Sequence, residues 1–527
     1  MKQIISKNKN TIIHIAVFFL ISLLFTLAIG LFKVNMCDTD AHISRIYNLA
    51  QSFKNGNWDP YIYESCYLNL GYPYGIFYPD ELIKPFAFLV YLGMYEYTAY
   101  IVMVFCINFV TLLSVYFVMR QIKEDMAFIV ALCYFLYPYR IYDLIWRAAI
   151  GELFFFMFFP ILLYGLYKLF YKKEFSWALG IGLLCILNSH ILSTFLTLCF
   201  LIVFYLCNIK NIVKTPKIIL HTLINAGFVL LCSLKIIIPI LEAQMTEKLL
   251  YNTNSAFFGT PSYHAIQIVP QSMELMASII VLCVLAVLLF VILNFKKKNL
   301  FSLWLLCVLL ITTTNLFPWR VVELIVPFIS IIQFPTRILE FAIIPYIGLC
   351  CYTVIPKRTL KQIMVFCYII VLIFTAFIHS ISQPCYNREN MIWTGIGQCD
   401  YLNAEFDALI YENDYSAVKA FYKLDKNLTV SFDEDTNLTT VKGYLPKIYY
   451  RNYKITDMNN VEYKYISKNG LIFIPELENQ NTLITISYAK TFLQTISEVI
   501  SNITFLMFFV FIICKKYNIQ KQFYKKI

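Results

Sequence analysis

Twelve stretches of this chain reach, or nearly reach, the roughly 20 consecutive apolar residues that an α-helix needs to cross the hydrocarbon core of a bilayer. They are 11–32, 97–119, 125–139, 148–170, 175–189, 190–208, 218–240, 272–294, 299–316, 337–355, 361–380 and 492–514. That pattern predicts an all-α polytopic membrane protein of about 12 transmembrane helices. Charged residues are 14% of the chain, against roughly 25% in soluble domains. The first run ends in Lys33-Val34-Asn35 without a small-residue cleavage site, so it reads as a retained helix, not a signal peptide. Val321–Ile332 is apolar but too short to span and reads as re-entrant or interfacial.

The formal net charge of +11 does not point to nucleic acid. Its lysines and arginines sit in short clusters between apolar runs, in every second loop: Lys2, Lys7 and Lys9; Arg120 and Lys123; Lys172 and Lys173; Lys210, Lys214 and Lys217; Lys296 to Lys298; Lys357, Arg358 and Lys361; Lys515, Lys516, Lys525 and Lys526. By the positive-inside rule these loops and both termini are cytoplasmic in the plasma membrane.

Two outer segments are then too long to be connectors. The first, 33–96, belongs with a transmembrane core of 1–380. The second, 381–491, is polar and precedes the last helix and basic tail, 492–527. It carries β-type runs at Leu428–Phe432, Thr439–Val441, Ile448–Tyr453, Leu471–Ile474 and Leu483–Tyr488, separated by Asn437, Asn469-Gly470 and Asn479. This predicts a small extracytoplasmic β-rich domain of sandwich type. Of the 16 cysteines, Cys37, Cys66, Cys385 and Cys399 fall outside and could pair, with connectivity open.

The first outer loop holds the densest chemistry. In a helix, Asp38, His42 and Arg45 fall at i, i+4 and i+7 on one face. Then come Asn55-Gly56-Asn57-Trp58-Asp59-Pro60 and Gly71-Tyr72-Pro73-Tyr74-Gly75-Ile76-Phe77-Tyr78-Pro79-Asp80. Glycine, proline and aromatics at that density predict turns and an interfacial aromatic surface. The plain alternative is an amphipathic interfacial helix whose early acidic residues suit the helix dipole.

The pattern D-x-x-x-H-x-x-R, N-G-x-W-x-P, G-Y-P-x-G-x-F-Y-P-D resembles the first outer loop of a prokaryotic membrane-protein family labelled 6-pyruvoyl-tetrahydropterin synthase-related, close to the YfhO-type proteins. Arg147-Ala148-Ala149-Ile150-Gly151-Glu152, Asn188-Ser189-His190, Pro239-Ile240-Leu241-Glu242 and Gln333-Phe334-Pro335-Thr336-Arg337 resemble its later motifs, in order. The chain departs after Gly395-Ile396-Gly397, where Gln398-Cys399-Asp400 stands in place of the family's G-E. The resemblance implies the GT-C superfamily of membrane glycosyltransferases, with a catalytic acidic residue in the first outer loop and a polyprenyl-phosphate sugar donor. A pterin synthase is not implied, because the six histidines, His14, His42, His190, His221, His264 and His379, have no ligand spacing.

Such a transfer needs a carboxylate to take the acceptor's proton and a cation to hold the departing phosphate. Asp38 or Asp40 suits the first role. Arg45, Arg147 and Arg337 suit the second, with Glu152 and Glu242 either orienting them or forming structural ion pairs. His42, His190 and Asp80 are further substrate-side candidates, although His190 also reads as a structural histidine and Asp80 as part of the loop fold. The expected partners are the bilayer, the lipid-linked donor and an envelope glycan or lipid acceptor. The sequence requires no cofactor, and a divalent metal stays open. Two other classes compete: a transporter or flippase for a lipid-linked glycan, and a non-catalytic envelope assembly protein.

Overall fold

The computed structural model describes residues 2–31, 38–64, 66, 70–246, 249, 300–313, 317–326, 329, 332, 335–353, 401–403, 405–406, 437–439, 443–477 and 482–524. The main helices are α1 (Lys2–Gly30), α2 (Thr39–Lys54), α3 (Lys84–Tyr91), α4 (Glu96–Ile122), α5 (Ala127–Phe135), α6 (Ile150–Leu166), α7 (Ala178–Leu187), α8 (Ile191–Cys207), α9 (Lys217–Thr246), α10 (Leu300–Thr312), α11 (Leu339–Thr353) and α12 (Phe492–Tyr524).

Among the described residues, five helical segments are long and apolar enough to cross a membrane: Lys9–Gly30, Glu96–Ile122, Ile150–Lys172, Lys217–Thr246 and Phe492–Cys514. A sixth is broken. Glu124–Phe135 and Pro138–Arg147 meet at a 48° bend, where Pro138 lacks an N–H to continue the first helix and suits the first turn of the next. The expected spans 175–189, 190–208, 299–316 and 337–355 appear as shorter helices of 10, 17, 13 and 15 residues. Those at 272–294 and 361–380 lie outside the described residues. The short α7 has a local cause. Asn188 Nδ2 donates to the Leu184 carbonyl at 2.9 Å and Ser189 Oγ to that of Ile186 at 2.6 Å, adding side-chain donors to last-turn carbonyls that backbone N–H groups also reach. The stretch expected to be re-entrant includes a seven-residue helix, Trp319–Ile325.

Neighbouring helices run antiparallel. Arg120 Nη1 at the end of α4 donates to Thr11 Oγ1 of α1 at 3.2 Å, so these ends share a side. Trp177 packs on Phe508 far along α12, with centroids 5.0 Å apart. On the opposite side Thr491 Oγ1 donates to Glu242 at 3.0 Å. Glycines let α6 and α7 cross closely. A Cβ at Gly165 would lie 2.2 Å from Leu179 N, and one at Gly182 2.5 Å from Leu162 N, as small-residue contacts in membrane helix pairs allow.

The stretch 38–96, expected to form the first outer loop, is packed and not splayed on a surface. Twelve of the sixteen α2 residues are buried, including Arg45, Asn48 and Gln51, which departs from an amphipathic interfacial helix. Tyr63, Tyr72 and Tyr74 are fully buried, and the first two bridge antiparallel. The aromatics expected to form an interfacial surface instead make the loop's own core, while Trp58 remains exposed. Cys66 is buried, and Cys37, Cys385 and Cys399 lie outside the described residues.

An ion network ties this loop to two spans. Lys84 Nζ meets Asp59 at 2.7 Å and Glu81 at 3.2 Å. Lys235 of α9 pairs with Glu81, and Lys490 pairs with Glu498 of α12 at 2.8 Å. Burial works against the charged forms of Asp59 and Glu81, but Lys84 beside both holds their carboxyls below the usual range. Depressed carboxylates stabilise fully above their unfolded values, about 3.9 and 4.3, and lose that contribution as pH falls through the folded ones. Both are about a third exposed, so screening keeps the effect modest. Acidification from about pH 6 to 3 is therefore expected to speed proteolysis of residues 57–90 in wild type. Glu81→Gln should already be faster at pH 6; equal cleavage of both proteins throughout would refute the network's role.

Among the described residues the C-terminal β region has six strands: β1 (Asn437–Thr439), β2 (Tyr444–Ile448), β3 (Tyr453–Asp457), β4 (Ile466–Lys468), β5 (Leu471–Phe473) and β6 (Leu483–Tyr488). They form two three-stranded antiparallel sheets, β1-β6-β3 and β2-β5-β4. Ile484 and Ile486 of β6 are buried with Leu445, Ile455 and Ile472. The turn Asn469-Gly470 has both φ positive, 57° and 73°, the geometry a tight hairpin demands. The expected strand Ile448–Tyr453 is instead a corner. Asn452 takes φ 70°, which Asn tolerates, and strands lie on either side. Asn437, expected as a separator, opens β1, whereas Leu428–Phe432 and Asn479 lie outside the described residues. The region is anchored to the stretch between α1 and α3. Ile448 N–H donates to the Leu70 carbonyl at 2.8 Å, and buried Lys447 pairs with Glu64 at 2.8 Å.

Candidate functional site

Asp38 stands at the N-cap position of α2, yet its side chain makes no capping hydrogen bond. Its backbone is pinned instead. The Asp38 N–H donates to the Arg147 carbonyl at 3.0 Å, and its carbonyl accepts from His42 N–H at 3.1 Å. These two bonds hold the Asp38 backbone beside Arg147. Burial pushes its pKa up, while Arg147 and then Arg337 pull it back.

Arg147 reaches this place through an irregular backbone. Asp143–Arg147 is a wide helical turn, and Ala148 takes a left-handed φ of 55° before α6 begins, a conformation uncommon outside Gly, Asn and Asp. The reversal brings Arg147 over the first turn of α6. Its Nη1 donates to Glu152 Oε1 at 3.0 Å, Asp143 Oδ1 at 3.0 Å and Tyr139 Oη at 3.3 Å. Tyr139 in turn donates to Glu152 Oε2 at 2.7 Å.

Arg337 arrives from a short helical turn, Pro335–Ile338, ahead of α11. Its Nε donates to the same Glu152 Oε1 at 3.1 Å, and its Nη1 to the Ile332 carbonyl at 3.0 Å. Glu152, 1% exposed, is therefore the hub on which two guanidiniums meet. Buried charges persist only when paired and hydrogen bonded in this way.

His190 closes one side. Its ring packs on Gly151, where a Cβ would come within 3.1 Å. Its Nδ1 lies 2.8 Å from Ser193 Oγ, which donates to Glu340 Oε1 at 2.7 Å. His42 senses both Arg45 and His190, and burial first of all holds its pKa down to about 3. Its imidazole is neutral at physiological pH.

Asp38, Arg147, Glu152, His190 and Arg337, five of the residues singled out from sequence, are thus gathered around Glu152. Arg45 and Asp80 form a separate buried pair at 2.9 Å, with Tyr63 donating to the other Asp80 oxygen. Arg45 also lies 5.1 Å from the Tyr78 ring centroid, so both residues of the pair are committed to holding the loop. Asp40 lies in the first turn of α2. Glu242 accepts from Thr491 and pairs with no arginine among the described residues. Sequence reasoning missed Asp143, Tyr139, Ser193 and Glu340. For Asp143 and Glu340 a signal existed: a carboxylate within a largely apolar segment is a functional candidate by default. Neither a family model nor a curated protein matches this chain.

Proposed function

We propose that the chain is an outer-face membrane glycosyltransferase of the GT-C type, moving a sugar from a polyprenyl-phosphate donor to a cell-envelope glycan or lipid. In this reading the chain crosses the plasma membrane about 12 times, with both termini cytoplasmic and the β region outside. The resemblance to the 6-pyruvoyl-tetrahydropterin synthase-related family belongs to the same proposal. The observation that carries it is the meeting of Asp38 with Arg147 and Arg337 around Glu152. A carboxyl lifted by burial is a stronger base than an exposed one. Two guanidiniums beside it supply the planar donors that suit a phosphate. Asp38 takes the acceptor's proton, Arg337 and Arg147 hold the donor phosphate, and Glu152 orients both arginines.

The test uses the full chain in proteoliposomes with a membrane lipid extract whose polyprenyl-phosphate sugars are radiolabelled. Label should pass to an envelope acceptor fraction only when the chain is present. Movement of labelled lipid between leaflets without transfer would make the protein a flippase and overturn the reading.

A further inference from the structure

We propose that Glu152, His190 and Glu340 form a binding site for a divalent transition-metal cation, independent of whether the chain transfers sugars. One ligand atom from each residue lies within 4.8 Å of the others. The three come from the first turn of α6, the turn between α7 and α8, and the first turn of α11.

Hydrogen accounting around Ser193 fixes the histidine. The serine has one hydroxyl proton, and it goes to Glu340 Oε1. The contact between His190 Nδ1 and Ser193 Oγ then requires the proton on Nδ1. That leaves a lone pair on Nε2, the tautomer a metal-binding imidazole adopts when its other nitrogen is tied to a second group. The second carboxylate oxygen, Glu340 Oε2, is buried and accepts no hydrogen bond, and the residue is fully buried.

An acceptor oxygen with no donor is costly in such a place. Arg147 and Arg337 both hydrogen-bond to Glu152, Arg147 also to Asp143 and Arg337 also to the Ile332 carbonyl, and Glu340 makes no ion pair among the described residues. Three carboxylates, Asp143, Glu152 and Glu340, thus surround two paired guanidiniums. A divalent cation contributes the missing charge and coordinates Glu340 Oε2 and His190 Nε2 together. Two carboxylates and one imidazole suit manganese or zinc. The site needs a small inward movement of the Glu152 carboxylate, which keeps Tyr139 and the arginines as outer partners.

Mn²⁺ is the probe, because the 16 cysteine thiols would collect zinc but not this harder ion. The purified full chain, stripped with chelator, is titrated with Mn²⁺ while free ion is followed by electron paramagnetic resonance. One tight Mn²⁺ per chain is expected. Glu340→Gln and His190→Ala should each weaken it at least tenfold, and Ser193→Ala, which keeps all three ligands, about tenfold. Mn²⁺ should also raise the melting temperature of wild type and leave that of Glu340→Gln unchanged. Wild type binding no more tightly than Ser193→Ala and Glu340→Gln overturns the site, as does absence of binding. In that event Glu340 is a protonated carboxylic acid.

Discussion

Asp38→Asn is expected to lower sugar transfer by about 10²-fold or more, with protein level and melting temperature close to wild type. Asn keeps the shape of the side chain and its position ahead of α2, because the bonds that pin this residue come from its backbone N–H and carbonyl. The side chain makes no capping hydrogen bond that the substitution would break. What is lost is basicity. The carboxyl of Asp38 is lifted by burial and steadied by Arg147 and Arg337, whereas an amide cannot accept a proton at any working pH. Asp40 provides an internal comparison, since it lies two residues on in the first turn of the same helix. The assay is transfer of labelled sugar from membrane lipid. Full activity of Asp38→Asn with loss in Asp40→Asn would move the base to Asp40. Full activity of both would remove the loop from the chemistry.

Glu152→Gln is expected to destabilise the protein by about 3–5 kcal/mol, the scale for breaking a buried pair by removing one partner. Arg337 loses its bond to Glu152 and retains that to the Ile332 carbonyl, and Arg147 retains those to Asp143 and Tyr139. The glutamine amide is nearly isosteric, so no cavity forms, and the loss reads the charge together with the one acceptor oxygen that an NH2 replaces. Both arginines are largely buried, 7% and 14% exposed, which leaves water little access to compensate. The measurement is thermal or denaturant unfolding in detergent with chelator present, so that any bound cation makes no contribution. A double variant, Glu152→Gln with Arg337→Met, should recover part of the loss, because it removes the charge left without its partner. A melting temperature within a degree of wild type for the single variant would show that the hub does not hold the site together.

The sequence by itself determined the membrane character, through run lengths matched to a bilayer and basic clusters at alternate ends. Short β-type runs located Leu471–Ile474 and Leu483–Tyr488, where strands Leu471–Phe473 and Leu483–Tyr488 form, and Asn469-Gly470 located the turn before the first of them. Spacing placed Asp38, Arg147 and Arg337 at the ends of apolar runs, and hence near one depth. These features are local: each depends on which residues lie within one or two helical turns, or on the length of a run.

Only the tertiary structure decided which charge meets which. Arg337 reaches Glu152 across 185 residues of sequence, and Lys447 reaches Glu64 across 383. Arg45 and Asp80, which looked as suited to a substrate as Arg147, are spent on each other. The aromatic loop, read as a surface, turned inward, where Tyr63, Tyr72 and Tyr74 are buried with the apolar residues of α2. Burial selects among partners that sequence leaves equivalent. A charge withdrawn from water must pair with whichever opposite charge the packing of apolar helices delivers to the same depth, and that packing is set by surfaces far apart in the chain.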